Sequence, residues 1–411
     1  MKKNERYYGE VWFPTNEQDR KFAVLIPKDD EIIIETNLYS YDNAYKEPQI
    51  FGSFNGLGYV TLIDCKIWHS ATGLINLRIY KATYCFIGIS HFVDPYDLKI
   101  NKFYIVNEAI VKWINHRPFY DWIKKEIDSK DFKDQYYIPQ INLTITIEQY
   151  LNYRKSGYEV KIKNKGRIFF QTETPVDILE AFSIYDQFQK ILQLLRGGSA
   201  QFETFSFKCP TCDNWQQVYY TDKRLTKSNN TYIYTNYSEV KDDFKIIIEK
   251  AYTDEKFKFC LDKLMENFIT RESSHNKRFL NSIAAFEAFY KNYEKKGKGK
   301  FKLENEIRKH KDLFMSIGNM SENQWTDFPN KVVRTRDYHT HSNLGNRDIF
   351  TEYQLLYISL LFDFAIGYLL LNSLGVSKTF LQKIVQRGQS VYVDMQRVNS
   401  ILSSNPLLNN N

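Results

Sequence analysis

Residues 174–198, TPVDILEAFSIYDQFQKILQLLRGG, decide how this chain is built. Thr174 and Pro175 supply a helix start: proline's fixed φ suits the first helical position, where its missing N–H costs nothing. Apolar residues then recur at helical spacing, and the pair Gly197–Gly198 stops the run. The sequence has one texture before this helix and another after residue 240.

Upstream, KFAVLIP (21–27), DEIIIETNLY (30–39), GYVTLIDCKIW (58–68), LINLRIYKATYCFIGISHF (74–92), INLTITIEQYL (141–151) and YEVKIKNKGRIFFQT (158–172) are rich in Ile, Val, Thr, Tyr and Phe. Several alternate apolar and polar side chains, as half-buried strands do. Short strands separated by turn residues predict an antiparallel sandwich or barrel-like sheet. WINHRPFYDWIKKEI (113–127) reads as a helical insertion. Downstream, 200–224 returns to strand character around a tight CPTC turn, and from 241 nearly every segment carries helical spacing. The predicted fold is α+β and multidomain. A β-rich N-terminal domain spans 1–240, with strands to about 172, then a helix and the CPTC-containing β segment. An all-α helical bundle spans 241–400, and 401–411 form a frayed tail.

At 411 residues the chain exceeds the ~250–300 at which single cores stop growing. Its composition, 43% hydrophobic and 26% charged, excludes a disordered chain. The net charge of +7 is unevenly placed, with 26 basic against 20 acidic residues in 241–411. The excess gathers in KKGKGKFKLENEIRKHK (295–311), where Lys295, Lys296, Lys298, Lys300 and Lys302 are candidates for attracting a polyanion such as RNA. The other reading of such a run is a solvated, flexible linker between two helices. The start, MKKNERYYGEVWF, lacks the apolar run of a signal peptide. The stretch 353–375 is long enough to span a bilayer, but Asp363 lies in its middle, where a charge costs about 2.5–3.5 kcal/mol. It reads as a bundle helix, so no membrane partner is expected. Five cysteines without framework spacing predict a reduced, cytoplasmic protein. Cys209 and Cys212 have metal-ligand spacing, but one pair is half a site; zinc there would be structural. GSFNGLGYV (52–60) lacks the third glycine of a dinucleotide loop, and there is no Gly-x-Ser-x-Gly elbow.

KVVRTRDYHTHSNLG (331–345) holds two of the seven histidines, His339 and His341, beside Arg334 and Arg336. Three readings compete. A metal site is opposed by the helical surroundings, where the two rings diverge by ~200°. A polar turn suits Asp337 and the Ser–Asn–x–Gly exit. A phosphate-handling centre suits histidine, which moves protons near neutrality, and arginine, whose fork stays charged. Arg336 and His341 are five positions apart, offset by ~140° on an ideal helix. A long side chain, a helix-end position or a twofold dimer would bring such groups together.

RDYHTH (336–341) resembles the Arg–polar–x–x–x–His signature of HEPN ribonucleases, with Arg336 as the arginine, Asp337 at the polar position and His341 as the histidine. The usual polar residue is Asn, so Asp337 puts the local hydrogen bonding in question. A second register, Arg334 to His339, fits the spacing with Thr335 as a weaker match. FLNSIAAFEAFYKNY (279–293) resembles the early HEPN helix that carries a glutamate, here Glu287. YGEVWFP (8–14), ahead of a strand-rich region, resembles the N-terminal domain of ApeA-type anti-phage proteins. The resemblance implies a metal-independent endoribonuclease with no catalytic cofactor, working as a homodimer and leaving a 2′,3′-cyclic phosphate. Its RNA target would include tRNA as a candidate, and a phage protein sensed by the N-terminal domain would be the trigger. In this reading His341 is the acid/base, Arg336 holds the phosphate, Asp337 orients one of them and His339 is a second proton carrier. Glu287 is a structural helix partner. The alternative is a non-catalytic HEPN dimer that binds nucleic acid or protein as a scaffold.

Overall fold

Six strands close on themselves at the start of the chain. β1 (Tyr7–Trp12), β2 (Lys21–Pro27), β3 (Ile32–Thr36), β4 (Lys46–Phe54), β5 (Gly58–Ala71) and β6 (Leu77–Ala82) run antiparallel in the order β5–β4–β1–β2–β3–β6, and β6 returns to pair with β5. This computed structural model describes residues 1–2, 4–28, 31–39, 46–73, 76–92, 94, 98–106, 108–115, 119–121, 126–128, 132–197, 204–210, 212–220, 235–269, 274–295, 302–341, 348–391 and 398–403. Closure pairs strand edges that would otherwise stay open. Val11, Ala23, Leu25, Ile34, Ile50 and Leu62 fill the interior.

From β5 the sheet continues as an open antiparallel extension. Its order is β7 (Tyr84–Gly88), β15 (Cys212–Tyr220), β14 (Thr204–Cys209), β8 (Ile100–Val106), β13 (Glu159–Val176), β12 (Leu143–Ser156) and β11 (Phe132–Ile138). Phe103 stacks between Phe170 and Phe205, at 4.8 and 5.2 Å, on the buried face of three of these strands. The barrel-like sheet is thus present, with an open wing attached. The expected helical insertion at 113–127 is not. The helix α1 (Glu108–Ile114) ends there: Asn115 takes a left-handed φ of +52°, and Pro118 lies three residues further on. Residues Phe119–Asp121 (β9) and Glu126–Asp128 (β10) instead pair as a two-stranded ladder.

By chain contacts the molecule divides into two units: Met1–Val111, His116–Ile184 and Phe202–Lys223 in one, and Lys112–Asn115, Tyr185–Gln201 and Arg224–Asn411 in the other. The helix α2 (Ile178–Arg196) contributes its first residues to the β unit and the rest to the helical unit.

The helical unit contains α3 (Tyr237–Thr253), α4 (Glu255–Ile269), α5 (His275–Phe289, running into a π-helical turn at Tyr290–Glu294), α6 (Leu303–Lys309), α7 (Lys311–Gly318), α8 (Glu322–His341), α9 (Glu352–Ser373), α10 (Lys378–Val391) and α11 (Val398–Ser403). Caps set several starts. Asn236 and Glu239 form a capping box on α3, Ser274 accepts from Lys277 N on α5, and Thr351 and Gln354 form a box on α9. The apolar stretch 353–375 forms the central helix α9, and 83% of its most apolar window is buried against the other helices. Phe362 of α9 contacts Phe286 of α5, Phe314 of α7 and Phe328 of α8, at centroid separations of 5.5, 4.9 and 6.5 Å. This aromatic cluster anchors α8 against α5.

Asp363 is buried within the same helix and hydrogen-bonded. Ser282 Oγ donates to its Oδ1 at 2.7 Å, Asn267 Nδ2 reaches both oxygens at 3.0 and 3.2 Å, and Arg278 lies at 3.5 Å. A buried carboxylate needs such partners, and here they tie α4, α5 and α9 together. Within the expected frayed tail 401–411, the first residues are helical: Ile401 is buried in α11, and its carbonyl accepts from Gln354 Nε2 at 3.0 Å. Residues 404–411 lie outside the described residues.

Candidate functional site

The two histidines and two arginines of 331–345 stand on the last turns of α8. Ser321 caps this helix: Gln324 N donates to Ser321 Oγ, and Gln324 Oε1 receives the Ser321 N–H. Trp325, Phe328, Val332 and Thr335 recur at helical spacing and are buried. Pro329 lies inside the helix and has no N–H for the carbonyl one turn back. Thr335 is fully buried; its hydroxyl donates to the Lys331 carbonyl at 2.7 Å and accepts from Phe350 N at 3.1 Å. Thr335 therefore pins the chain on the far side of 342–347, which lie outside the described residues.

The two arginines face different partners. Arg334 NH2 donates to Asp327 at 2.9 Å and to Asp348 at 2.6 Å, and Lys331 reaches the other Asp348 oxygen at 3.0 Å. The Lys331 contact, reinforced by Arg334, holds the Asp348 carboxyl below its usual range against the effect of burial. Arg336 NH2 donates to Glu287 Oε1 on α5 at 3.0 Å, and its NH1 donates to Asp337 Oδ1 at 2.9 Å. Lys291 Nζ stands 3.9 Å from Glu287 Oε2. Burial disfavours the Arg336 charge, but the bond to Asp337 and the charge of Glu287 outweigh it, and the guanidinium is held more firmly protonated than usual.

The histidines differ as well. His341 is the last residue of α8 and is exposed. His339 is half-buried, with its ring edge-on to Tyr338 at 5.0 Å, and its Nε2 is buried without a hydrogen-bond partner in the structure. Burial pushes its pKa down, so the ring is neutral at pH 7. Both histidines stand on helix, so the alternation that suits two strand ligands is lost. Among the described residues no group of three or more His, Cys, Asp and Glu is placed to hold an ion.

The remaining candidates lie elsewhere. Exposed Lys295 and Lys302 flank the stretch between α5 and α6, and Lys296, Lys298 and Lys300 lie outside the described residues. Cys209 and Cys212 are backbone partners in register at the end of the β14–β15 hairpin, and Cys209 is buried. Asp327 and Asp348, the partners of Arg334, carry no signal in the sequence. Asp327 lies seven positions earlier on α8, on the same face but beyond the usual three- and four-residue pairs, and Asp348 lies across 342–347, where no periodic pattern links it to the helix.

An all-α bundle that carries Arg–polar–x–x–x–His at the end of one helix, with the arginine ion-paired to a glutamate of a second helix, defines a HEPN-type domain. The family model for the Apea-like HEPN domain matches residues 227–380, and the model for the ApeA N-terminal domain 1 matches residues 6–250. The latter alone covers more than half of the chain, which therefore belongs to the ApeA-like family of defence-related HEPN proteins. No curated protein and no solved structure matches the chain.

Proposed function

We propose that this chain is an anti-phage, metal-independent endoribonuclease whose centre is Arg336 and His341. The observation that carries the reading is the pairing of a fork held in place by Glu287 and Asp337 with an exposed histidine at the end of the same helix. Arg336 holds the scissile phosphodiester and stabilises the charge that builds on it. His341 moves protons: the 2′-hydroxyl loses one as its oxygen attacks phosphorus, and the departing 5′-oxygen gains one as the P–O5′ bond breaks. The products are a 2′,3′-cyclic phosphate and a 5′-hydroxyl. His339, neutral at pH 7, is available as a second proton acceptor. Asp337 orients Arg336.

The ~140° offset of Arg336 and His341 around α8 favours a homodimer in which two copies complete one cleft. Lys295 and Lys302, with Lys296, Lys298 and Lys300, draw in RNA, and tRNA is the first substrate to try. A phage protein sensed by the N-terminal domain relieves a resting state in the cytoplasm. Zinc at Cys209 and Cys212 would be structural, and its remaining ligands would come from elsewhere.

The test is cleavage of total tRNA in EDTA by wild type, Arg336→Ala and His341→Ala, with and without lysate of phage-infected cells. Cutting by wild type alone, with cyclic-phosphate ends, supports the reading. No cutting in either condition, with all three proteins binding RNA alike, moves the function to a non-catalytic scaffold.

A further inference from the structure

Among the described residues, every cation on the motif face of α8 is already matched by a carboxylate. Arg334 and Lys331 share Asp327 and Asp348. Arg336 meets both Glu287 and Asp337, and Lys291, on the turn that follows α5, stands 3.9 Å from Glu287. Two positive and two negative side chains meet in each group, so neither presents a net charge to a polyanion. For Arg336 the matter is also geometric. Its two terminal nitrogens form an edge that a phosphate can take with two parallel hydrogen bonds. NH2 is engaged by Glu287 at 3.0 Å and NH1 by Asp337 at 2.9 Å, so both ends of that edge already hold a carboxylate oxygen.

We propose that Glu287 and Asp337 compete with the RNA phosphate for Arg336 and so set how tightly the chain takes up its substrate. The inference rests on the assignment of Arg336 as the phosphate-binding residue. The two carboxylates are tethered to the helices that carry and face Arg336, so they compete at high effective concentration. A phosphodiester entering the site must displace at least one of them or bind beside a neutralised fork. Glu287 is the better protected, with a side chain 17% exposed against 36% for Asp337. Asp337 is therefore the contact that yields first, and Glu287 keeps the guanidinium in place while it does.

The experiment uses the full chain and a fluorescent 2′-O-methyl RNA oligonucleotide, which lacks the attacking hydroxyl and so reports binding alone. Wild type, Asp337→Asn, Glu287→Gln, Arg336→Ala and the double variant Asp337→Asn/Arg336→Ala are compared by anisotropy over a range of salt. Asp337→Asn is expected to tighten binding about threefold to fivefold, the scale of one exposed ion pair. Its salt dependence should steepen by about one counterion. In the cleavage assay the same gain should appear as a lower KM. The gain should vanish in the double variant, because it acts through Arg336. Unchanged or weaker binding by Asp337→Asn overturns the proposal, as does a gain that survives without Arg336. Glu287→Gln removes an interhelical contact, so its melting is checked; Asp337, a partly exposed group at the end of α8, carries the test if that variant fails to fold. If no protein in the set cuts natural RNA, the nuclease reading fails, while the binding arm still decides the competition.

Discussion

The Arg336 guanidinium of α8 and the Glu287 carboxylate of α5, 49 positions apart in sequence, meet at 3.0 Å. The contact fixes the fork relative to the bundle core, because α5 is itself held by Phe286 against Phe362 and by Ser282 against Asp363. Structure and candidate chemistry are therefore coupled through one helix. α5 buries its aromatic and small residues on one face and presents Glu287 on another.

The two arginines of the motif region should separate in function. Arg334 is held by Asp327 and Asp348 and serves to fix the chain after 347 onto α8. Arg336→Ala is expected to lower cleavage by about 100-fold or more, the scale of losing a group that stabilises developing charge. Arg334→Gln should lower it by less than about tenfold, with the loss reflecting a loosened α8 end. Single-turnover rates on one RNA substrate check this. The reverse order would transfer the motif to the register Arg334–His339.

His339 should titrate below the ordinary histidine value of 6.5, because burial disfavours its charged form. Its depressed folded pKa gives a stability contribution that is present above 6.5 and is lost as the pH falls through the folded value. His339→Gln should make stability less sensitive to pH in that acidic window. The ring resonances of wild type, recorded by NMR against pH, give the titration directly.

Much of the fold is legible in sequence where a pattern is local and continuous. The run 21–27 forms β2 over its whole length, and the stretch 353–375 supplies the bundle helix α9, Glu352–Ser373. The legible part ends where a partner is distant. β4 carries Pro48 and polar residues, and β11 has Lys133, Asp134 and Gln135 in a row, so neither stands out as a strand. Barrel closure depends on β6 choosing β5 as well as β3, which no local period encodes. The segment 113–127 has helical composition, but the helix ends at Asn115 with its left-handed φ, and Phe119–Asp121 and Glu126–Asp128 pair as strands instead. At the site, Arg336, His341 and Glu287 were visible as residues, whereas the double carboxylate grip on Arg336 needed three dimensions.

Gly9 in YGEVWFP should tolerate no side chain. It sits in β1 opposite Phe54 of β4, and an added Cβ would lie 2.1 Å from the Ser53 carbonyl oxygen and 2.7 Å from the Phe54 Cα. Both obstacles are backbone and cannot rotate away. Gly9→Ala is expected to cost about 2 kcal/mol or more by forcing β1 and β4 apart. Urea unfolding monitored by tryptophan fluorescence reads the barrel, since Trp12 is buried at the end of β1. A wild-type midpoint would overturn the close approach of β1 and β4 at Gly9.

Asp363 provides the test of the helical core. Burial raises its pKa above the ordinary 3.8, and Arg278, Ser282 and Asn267 only partly offset that effect. A carboxyl with a raised folded pKa binds its proton more tightly in the folded state. Its contribution to stability is therefore full below 3.8 and is lost as the pH rises through the folded value. Asp363→Asn, which keeps the shape and cannot ionise, should remove this fall, so its unfolding midpoint should change less than that of wild type over the range just above 3.8. Asp363→Ala should instead be destabilising at every pH, by about 3–5 kcal/mol, because Arg278 and Asn267 lose a buried partner. Unfolding curves at several pH values distinguish the two. If Asp363→Asn kept the full fall, the titration would belong to another group, and Asp363 would act in the core only through its hydrogen bonds.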